Sequence, residues 1–187
     1  EVLAIEVRQY AGEGVKVLVP TLIGRTETAA GRKSTGQKRA KWTEQSFFED
    51  LEARAPEGRA GAEAIVEWAK ANAYRFSFGN GEVAAFTVGV PAGAVTQIPV
   101  VLYASGTVGI TFRYMTGKPG FEDEAARIEL LGRFNRVPGV ALDQARVNGE
   151  PPVDPALLGE AQARDAFLSV LDWFAGEVRA AADAQEA

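Results

Sequence analysis

The sequence contains no cysteine and no histidine. Without cysteine the chain has no disulfide, no thiolate nucleophile and no cysteine-ligated zinc or iron–sulfur centre. Without histidine it lacks the usual general base at neutral pH and the commonest transition-metal ligand, which excludes serine-triad catalysis and histidine-ligated zinc. Any catalysis must therefore use carboxylates, lysine, arginine or tyrosine, and the metal that suits such oxygen ligands is Mg²⁺.

Long hydrophobic runs are missing as well. No apolar run approaches the roughly 20 residues that a membrane helix needs, and the start of the chain lacks the basic residues and apolar core of a signal peptide. With 47% hydrophobic and 24% charged residues in 187, the sequence predicts a soluble, cytoplasmic globular protein without a membrane partner. Because the chain begins at Glu1, we expect it to be a piece of a longer protein.

Alternating hydrophobic residues between tight glycine turns predict strands in two regions. EVLAIEVRQY and VKVLVP, joined at Gly12-Glu13-Gly14, predict an N-terminal β-hairpin over residues 1–24. Four later segments, YRFSF, EVAAFTVGV, QIPVVLY and TVGITFRYM, predict an antiparallel meander over residues 74–115.

A helical hairpin is predicted between the two strand regions. Thr43 is a good N-cap and Pro56 a stop for the first helix. Ile65, Trp68 and Ala69, at three- and four-residue spacing, indicate the second helix.

Two further helices should cover the apolar face of the meander, one over 122–136 and one over 160–182. The sequence therefore predicts an α+β fold. Its main part is an α+β C-terminal domain over 42–182, with a tail over 183–187.

The segment 25–41 has the composition of a basic flexible linker. It contains six basic residues against the single acid Glu27: Arg25, Arg32, Lys33, Lys38, Arg39 and Lys41. The segment carries +5, whereas the remaining 14 basic and 24 acidic residues of the chain give −10. Such a cluster can neutralise phosphates, so Arg32, Lys33, Lys38, Arg39 and Lys41 are candidate nucleic-acid contacts. A solvated linker without a ligand is the alternative.

A second set of basic residues runs from the last predicted strand into the next helix: Arg113, Lys118, Arg127, Arg133 and Arg136. With the neighbouring aromatic rings of Phe112 and Tyr114, such a strip can grip phosphates and stack a base, and Arg113, Lys118 and Arg127 are the residues predicted to do so. In the alternative, the two rings fill the core and the arginines pair with Glu122, Glu124 and Glu129.

Three segments resemble the C-terminal part of a family of uncharacterised prokaryotic proteins: FRYMTGKPGF, ARIELLGRFNRVPGV and FLSVLDWF. In that family the preceding region looks like a restriction-endonuclease-like nuclease of the PD-(D/E)XK type, and EVRQYAGEGVKVLVPTLIG resembles the end of such a region. The resemblance covers most of the chain. It implies that residues 1–24 are the remnant of a nuclease-like domain.

The resemblance gives a role to Glu6 and Arg8, which stand two positions apart and so on one face of a strand. In such nucleases the acidic residue of the (D/E)-x-K element holds Mg²⁺, and the lysine polarises the attacking water or the scissile phosphate. Glu6 is implied as a metal ligand and, with Arg8, as half of a catalytic site. Arg8 departs from the pattern because arginine stays protonated. An ordinary half-buried strand with polar residues on its solvent face is the alternative.

The leading hypothesis is a non-catalytic C-terminal module of a prokaryotic nuclease-like protein that binds or positions nucleic acid. The aspartate that would complete the metal site lies before Glu1, so we expect no cofactor in this chain and Mg²⁺ only in the complete protein. One alternative is a structural domain that recognises another protein. The other is part of a Mg²⁺-dependent nuclease completed by upstream residues.

Overall fold

The computed structural model describes residues 4–12, 15–23 and 41–186, with the side chains of 41–185. The chain divides into two compact units, with the boundary between Arg39 and Ala40. The predicted linker lies outside the described residues except for Lys41.

The first unit contains a β-hairpin. Strand β1 spans Ala4–Gly12, strand β2 spans Val15–Ile23, and the two pair antiparallel along their whole length. The predicted hairpin is confirmed. Strand β2 continues past Pro20, where the sequence pattern ended it, because the missing N–H of proline is tolerated on the open edge of a two-stranded ribbon.

The second unit begins with the predicted helical hairpin. Helix α1 spans Glu44–Arg54 and helix α2 spans Arg59–Ala71. Thr43 caps α1: its hydroxyl accepts from the amide of Ser46, and the Ser46 hydroxyl accepts from the amide of Thr43.

Six strands form an antiparallel sheet in this unit. They are β3 (Arg75–Ser77), β4 (Ala85–Ala92), β5 (Val95–Gln97), β6 (Val100–Tyr103), β7 (Thr107–Ile110) and β8 (Pro152–Val153). Their hydrogen-bonded order is β3-β4-β6-β7-β8, with β5 paired to β4. The predicted meander is confirmed, and β8 joins it from a distant part of the chain.

The predicted strand QIPVVLY is interrupted by a bulge. The pairings of β5 and β6 with β4 differ by one residue in register, so one extra residue stands between them. Thr111 satisfies the carbonyls that this irregularity frees: its hydroxyl donates to Ile98 and its amide donates to Pro99.

The helices cover one face of the sheet. Helix α3 spans Glu124–Phe134 and helix α4 spans Ala161–Glu186. Alternate residues of β4 and β6, among them Phe86, Val88 and Leu102, are buried in the same core as Phe134 and Phe174, each 0% exposed. The predicted packing of these two helices on the meander is confirmed, and the fold is α+β.

Two boundaries differ from the sequence pattern. Residues Phe112–Tyr114 form a 3-10 turn where the pattern predicted strand, because the amide of Tyr114 bonds back to Thr111 and that of Arg113 bonds to Gly149. That part of the strand prediction was wrong. Helix α4 extends to Glu186 and includes most of the residues assigned to the tail.

None of the described helices is long and apolar enough to cross a membrane.

Candidate functional site

The sheet face opposite the helices carries small side chains over much of its area. Residues that pair across neighbouring strands lie on the same face of the sheet. We call the face opposite the helices the open face. It is formed by Arg75, Thr87, Gly89, Val101, Tyr103, Thr107 and Gly109. Thr87, Gly89 and Tyr103 are partly exposed, and Arg75 is exposed. The open face is therefore a shallow surface with larger groups at its ends.

Charge is distributed unevenly between the sheet and the helices. Residues 72–121, which supply five of the six strands, contain three basic residues, Arg75, Arg113 and Lys118, and one acidic residue, Glu82. The other residues between 41 and 186 contain 10 basic and 20 acidic ones. A polyanion would meet less repulsion at the sheet than at the helices.

A cluster of three polar side chains lies at one end of the open face. The hydroxyl of Tyr103 donates to one oxygen of Glu150 at 2.6 Å, and the guanidinium of Arg113 pairs with the other oxygen at 2.5 Å. The guanidinium also lies 4.6 Å from the centre of the Tyr114 ring, which is 42% exposed. Burial, the hydrogen bond to Glu150 and the charge of Glu150 raise the pKa of Tyr103 to about 12.

The local fold places Glu150 against the sheet. A Cβ at Gly109 would overlap the carboxylate of Glu150, so the missing side chain leaves the space that this carboxylate fills. Ile110 donates its amide to Pro151 and Arg113 donates its amide to Gly149, which fixes the backbone on both sides of Glu150. The Glu150 side chain is 14% exposed, whereas the Arg113 side chain is 47% exposed.

A cavity of about 320 Å³ lies at the other end of the open face. Its walls include Arg75 and Gly89, the turn after β4, and Thr96. The ammonium of Lys118 donates to the carbonyl of Thr96 at 3.2 Å, which places a second cation beside this cavity. Ala73, also in its wall, has a left-handed backbone with φ 53°.

The predicted basic strip is only partly present. Arg113 and Lys118 border the open face, but Arg127 is 4% exposed, and its guanidinium donates to the carbonyls of Phe121 and Glu122. Arg127 is therefore placed in the interior and has no surface from which to contact phosphate, which corrects its predicted place in the strip.

Of the arginines in the predicted strip, Arg133 follows the alternative interpretation. Arg133 pairs with Glu129 at 2.8 Å and covers the ring of Trp173, on the helical layer. Phe112 is buried, as that alternative required, whereas Tyr114 is not.

The remaining predicted site residues are less fully described. Glu6 and Arg8 lie on β1, paired with Thr21 and Val19, so the two share one face of the hairpin. Their side chains lie outside the described residues, as do the basic residues of the linker before Lys41. Among the described side chains, no group of three or more acidic residues is placed to hold a metal ion.

No local sequence pattern marks Tyr103 or Glu150 as a partner of Arg113. Tyr103 and Glu150 stand 47 positions apart, and only the pairing of β7 with β8 brings Glu150 beside Tyr103.

Comparisons of the chain with protein-family models, with curated proteins and with solved structures find no match. The chemistry of the described surface is therefore the guide to function.

Proposed function

We propose that this chain is a non-catalytic nucleic-acid-binding module of a prokaryotic nuclease-like protein, and that the open face is its binding surface. The observation that carries the proposal is the exposed Tyr114 ring beneath the Arg113 guanidinium, at the border of a sheet segment with a single acidic residue. Aromatic rings stack on bases, and arginine can either bind a phosphate or stack on a base.

The shape of the surface favours single strands over duplex. Stacking on Tyr114 requires a base that is not already stacked and paired, which single strands offer. Thr87 is small and partly exposed, so it leaves room for a strand to lie between the cations at the two ends, whereas the methyl group of Thr96 covers Gly89. Arg75 on β3 and the cluster beyond β7 are three strand spacings apart, roughly 14 Å.

The hairpin would belong to the nuclease-like region of the parent protein. In this proposal Glu6 is one ligand of a Mg²⁺ ion and Arg8 a phosphate contact, and the other ligands of the ion come from outside the hairpin. Cleavage would therefore require more than the hairpin.

A salt series tests the open face directly. We would measure fluorescence anisotropy of labelled single-stranded and duplex oligonucleotides with the wild type and with the triple variant R75Q/R113Q/K118Q. If the three cations contact phosphates of a single strand, the slope of log K against log salt should fall by about 2, at roughly 0.7 for each phosphate neutralised.

The matched control is R136Q/R164Q/R179Q, which removes the same charge from the helical layer. Equal slopes for the two triple variants would contradict the open face as the binding surface. Tighter binding of duplex than of single strands would contradict the stacking role of Tyr114.

A protein-interaction domain is the second candidate, favoured by the exposed side of helix α1. There the Phe48 ring lies among Glu44, Glu49 and Glu52, at a groove that also involves Arg59. An apolar centre with an acidic rim suits a basic segment that carries one apolar residue. Binding of a lysine-rich probe peptide with one leucine, weakened by E49Q and not by R113Q, would support it.

A further inference from the structure

The carboxylate of Glu150 occupies a position built for an anion. A tyrosine hydroxyl and a guanidinium converge on it from β6 and from the turn after β7, at 2.6 and 2.5 Å. Gly109 leaves the space that the carboxylate fills. Phosphate offers the same acceptor oxygens to the same donors, and arginine binds both groups in one geometry.

The side chains around this position differ in their exposure to solvent. Glu150 is largely covered, whereas Arg113 is half exposed and lies over the exposed Tyr114 ring. The backbone around Glu150 is held by the amides of Ile110 and Arg113. The Glu150 side chain can therefore leave by rotation about its own bonds while the connection stays on the sheet.

We propose that Tyr103 and Arg113 form a phosphate subsite, which the Glu150 carboxylate fills in the free protein and which a nucleic-acid phosphate takes by displacing that carboxylate. This subsite rests on the proposed nucleic-acid function. A base stacked on Tyr114 would lie next to the phosphate held by Arg113. The internal carboxylate lowers affinity for every anion and lets only a ligand that also stacks on Tyr114 displace it efficiently.

Substitution of Glu150 tests the subsite. E150Q keeps the size of the side chain and removes its charge, so single-stranded oligonucleotides should bind roughly two- to fivefold more tightly at low salt, the range expected for a partly exposed charge pair. The control E177Q makes the same charge change on helix α4 and should bind like the wild type. Added to R113Q, the E150Q change should give no such gain, because the cation it frees is absent.

A second measurement uses inorganic phosphate alone, so that the free anion and the nucleic acid are distinguished. In E150A, which empties the position, phosphate should cause a saturable shift of the Arg113 Nε–H resonance. The wild type and E150A/R113Q should show no such saturable change. Urea unfolding of each variant establishes that it is folded.

The outcomes separate the two proposals. Tighter oligonucleotide binding by E150Q together with a phosphate shift in E150A supports both. A phosphate shift in E150A without oligonucleotide binding by any variant supports the subsite for the free anion and overturns the nucleic-acid function. Two outcomes overturn the subsite. In the first, E150Q binds oligonucleotides no more tightly than E177Q does. In the second, phosphate causes no shift of the Arg113 resonance in E150A.

Discussion

Arg127 carries a charge into the interior of the domain. Its guanidinium donates to the carbonyls of Phe121 and Glu122, each at 2.7 Å, and to the side-chain amide oxygen of Asn148 at 3.1 Å. Asn148 in turn donates to Glu124. One buried side chain thus joins the start of helix α3 to the connection that carries Glu150, and its role is to position these segments.

Substitution of Arg127 should cost much of the stability of the domain. R127M keeps most of the volume but leaves the buried carbonyl of Phe121 and two partly buried acceptors, at Glu122 and Asn148, without their donor, so we expect the free energy of unfolding to fall by about 1–3 kcal/mol. Urea denaturation measures the change. R136M, at an exposed position beyond the same helix, should stay within about 0.5 kcal/mol of the wild type. A loss below about 1 kcal/mol for R127M would contradict the assigned role.

Tyr103 should titrate later than an ordinary tyrosine. Burial first, and then Glu150, raise its pKa from 10.0 to about 12. Because the folded state holds the proton more tightly than the unfolded state, this contribution to stability is complete below pH 10 and is lost between about pH 10 and pH 12. The Cζ chemical shift of Tyr103 reports the pKa, and E150Q should lower it. A pKa near 10 for Tyr103 in the wild type would contradict both the burial of its hydroxyl and its hydrogen bond to Glu150.

Long amphipathic elements were predictable from sequence, and short tertiary ones were not. The stripe of Phe167, Leu171, Phe174 and Val178 recurs at helical spacing, and all four residues are buried on α4. Strand β8 has two residues and exists only because β7 pairs with it. Local pattern carries no information on such pairing, which is also why the site cluster could not be predicted from Arg113 alone.

Substitution of glycine by alanine should change the stability of the domain in opposite directions at Gly176 and Gly109. Gly176 lies within α4 with open space where a Cβ would stand, so G176A should stabilise the domain by about 0.5–1 kcal/mol. Gly109 lies on β7 beneath the Glu150 carboxylate, so G109A should destabilise it by about 0.5–1.5 kcal/mol, because the added methyl group displaces the carboxylate from its hydrogen bond with Tyr103.

Thermal and urea unfolding of both variants measure this contrast between helix and strand. G109A should also lower the pKa of Tyr103, since it displaces Glu150 from the hydroxyl. A G109A protein as stable as the wild type would show that the carboxylate can occupy another position at no cost.

The two units of the chain carry opposite charge. Residues 1–39 contain seven basic and four acidic residues, whereas residues 40–187 contain 13 basic and 21 acidic ones. Within the second unit the acidic residues belong mainly to the helical segments, so the open face and the basic segment 25–41 are the regions where a polyanion meets net positive charge. Specific contacts must be localised there, because the net charge of −5 repels nucleic acid generally.

The basic segment should contribute salt-dependent affinity that is separate from that of the open face. In the variant with Gln at Arg32, Lys33, Lys38, Arg39 and Lys41, the slope of log K against log salt for a single strand should fall by roughly 3.5, because each phosphate that is no longer neutralised lowers it by about 0.7. Fluorescence anisotropy across a salt series measures the slopes of the wild type and of this five-Gln variant.

Combination of the five-Gln variant with R75Q/R113Q/K118Q tests whether the basic segment and the open face bind independently. Free energies add for sites that share no partner, so the combined variant should show the sum of the two reductions in slope. Equal slopes for the wild type and the five-Gln variant would limit binding to the open face. Undetectable binding by the wild type even at low salt would instead favour a basic protein partner at helix α1, where the Phe48 ring lies among three carboxylates.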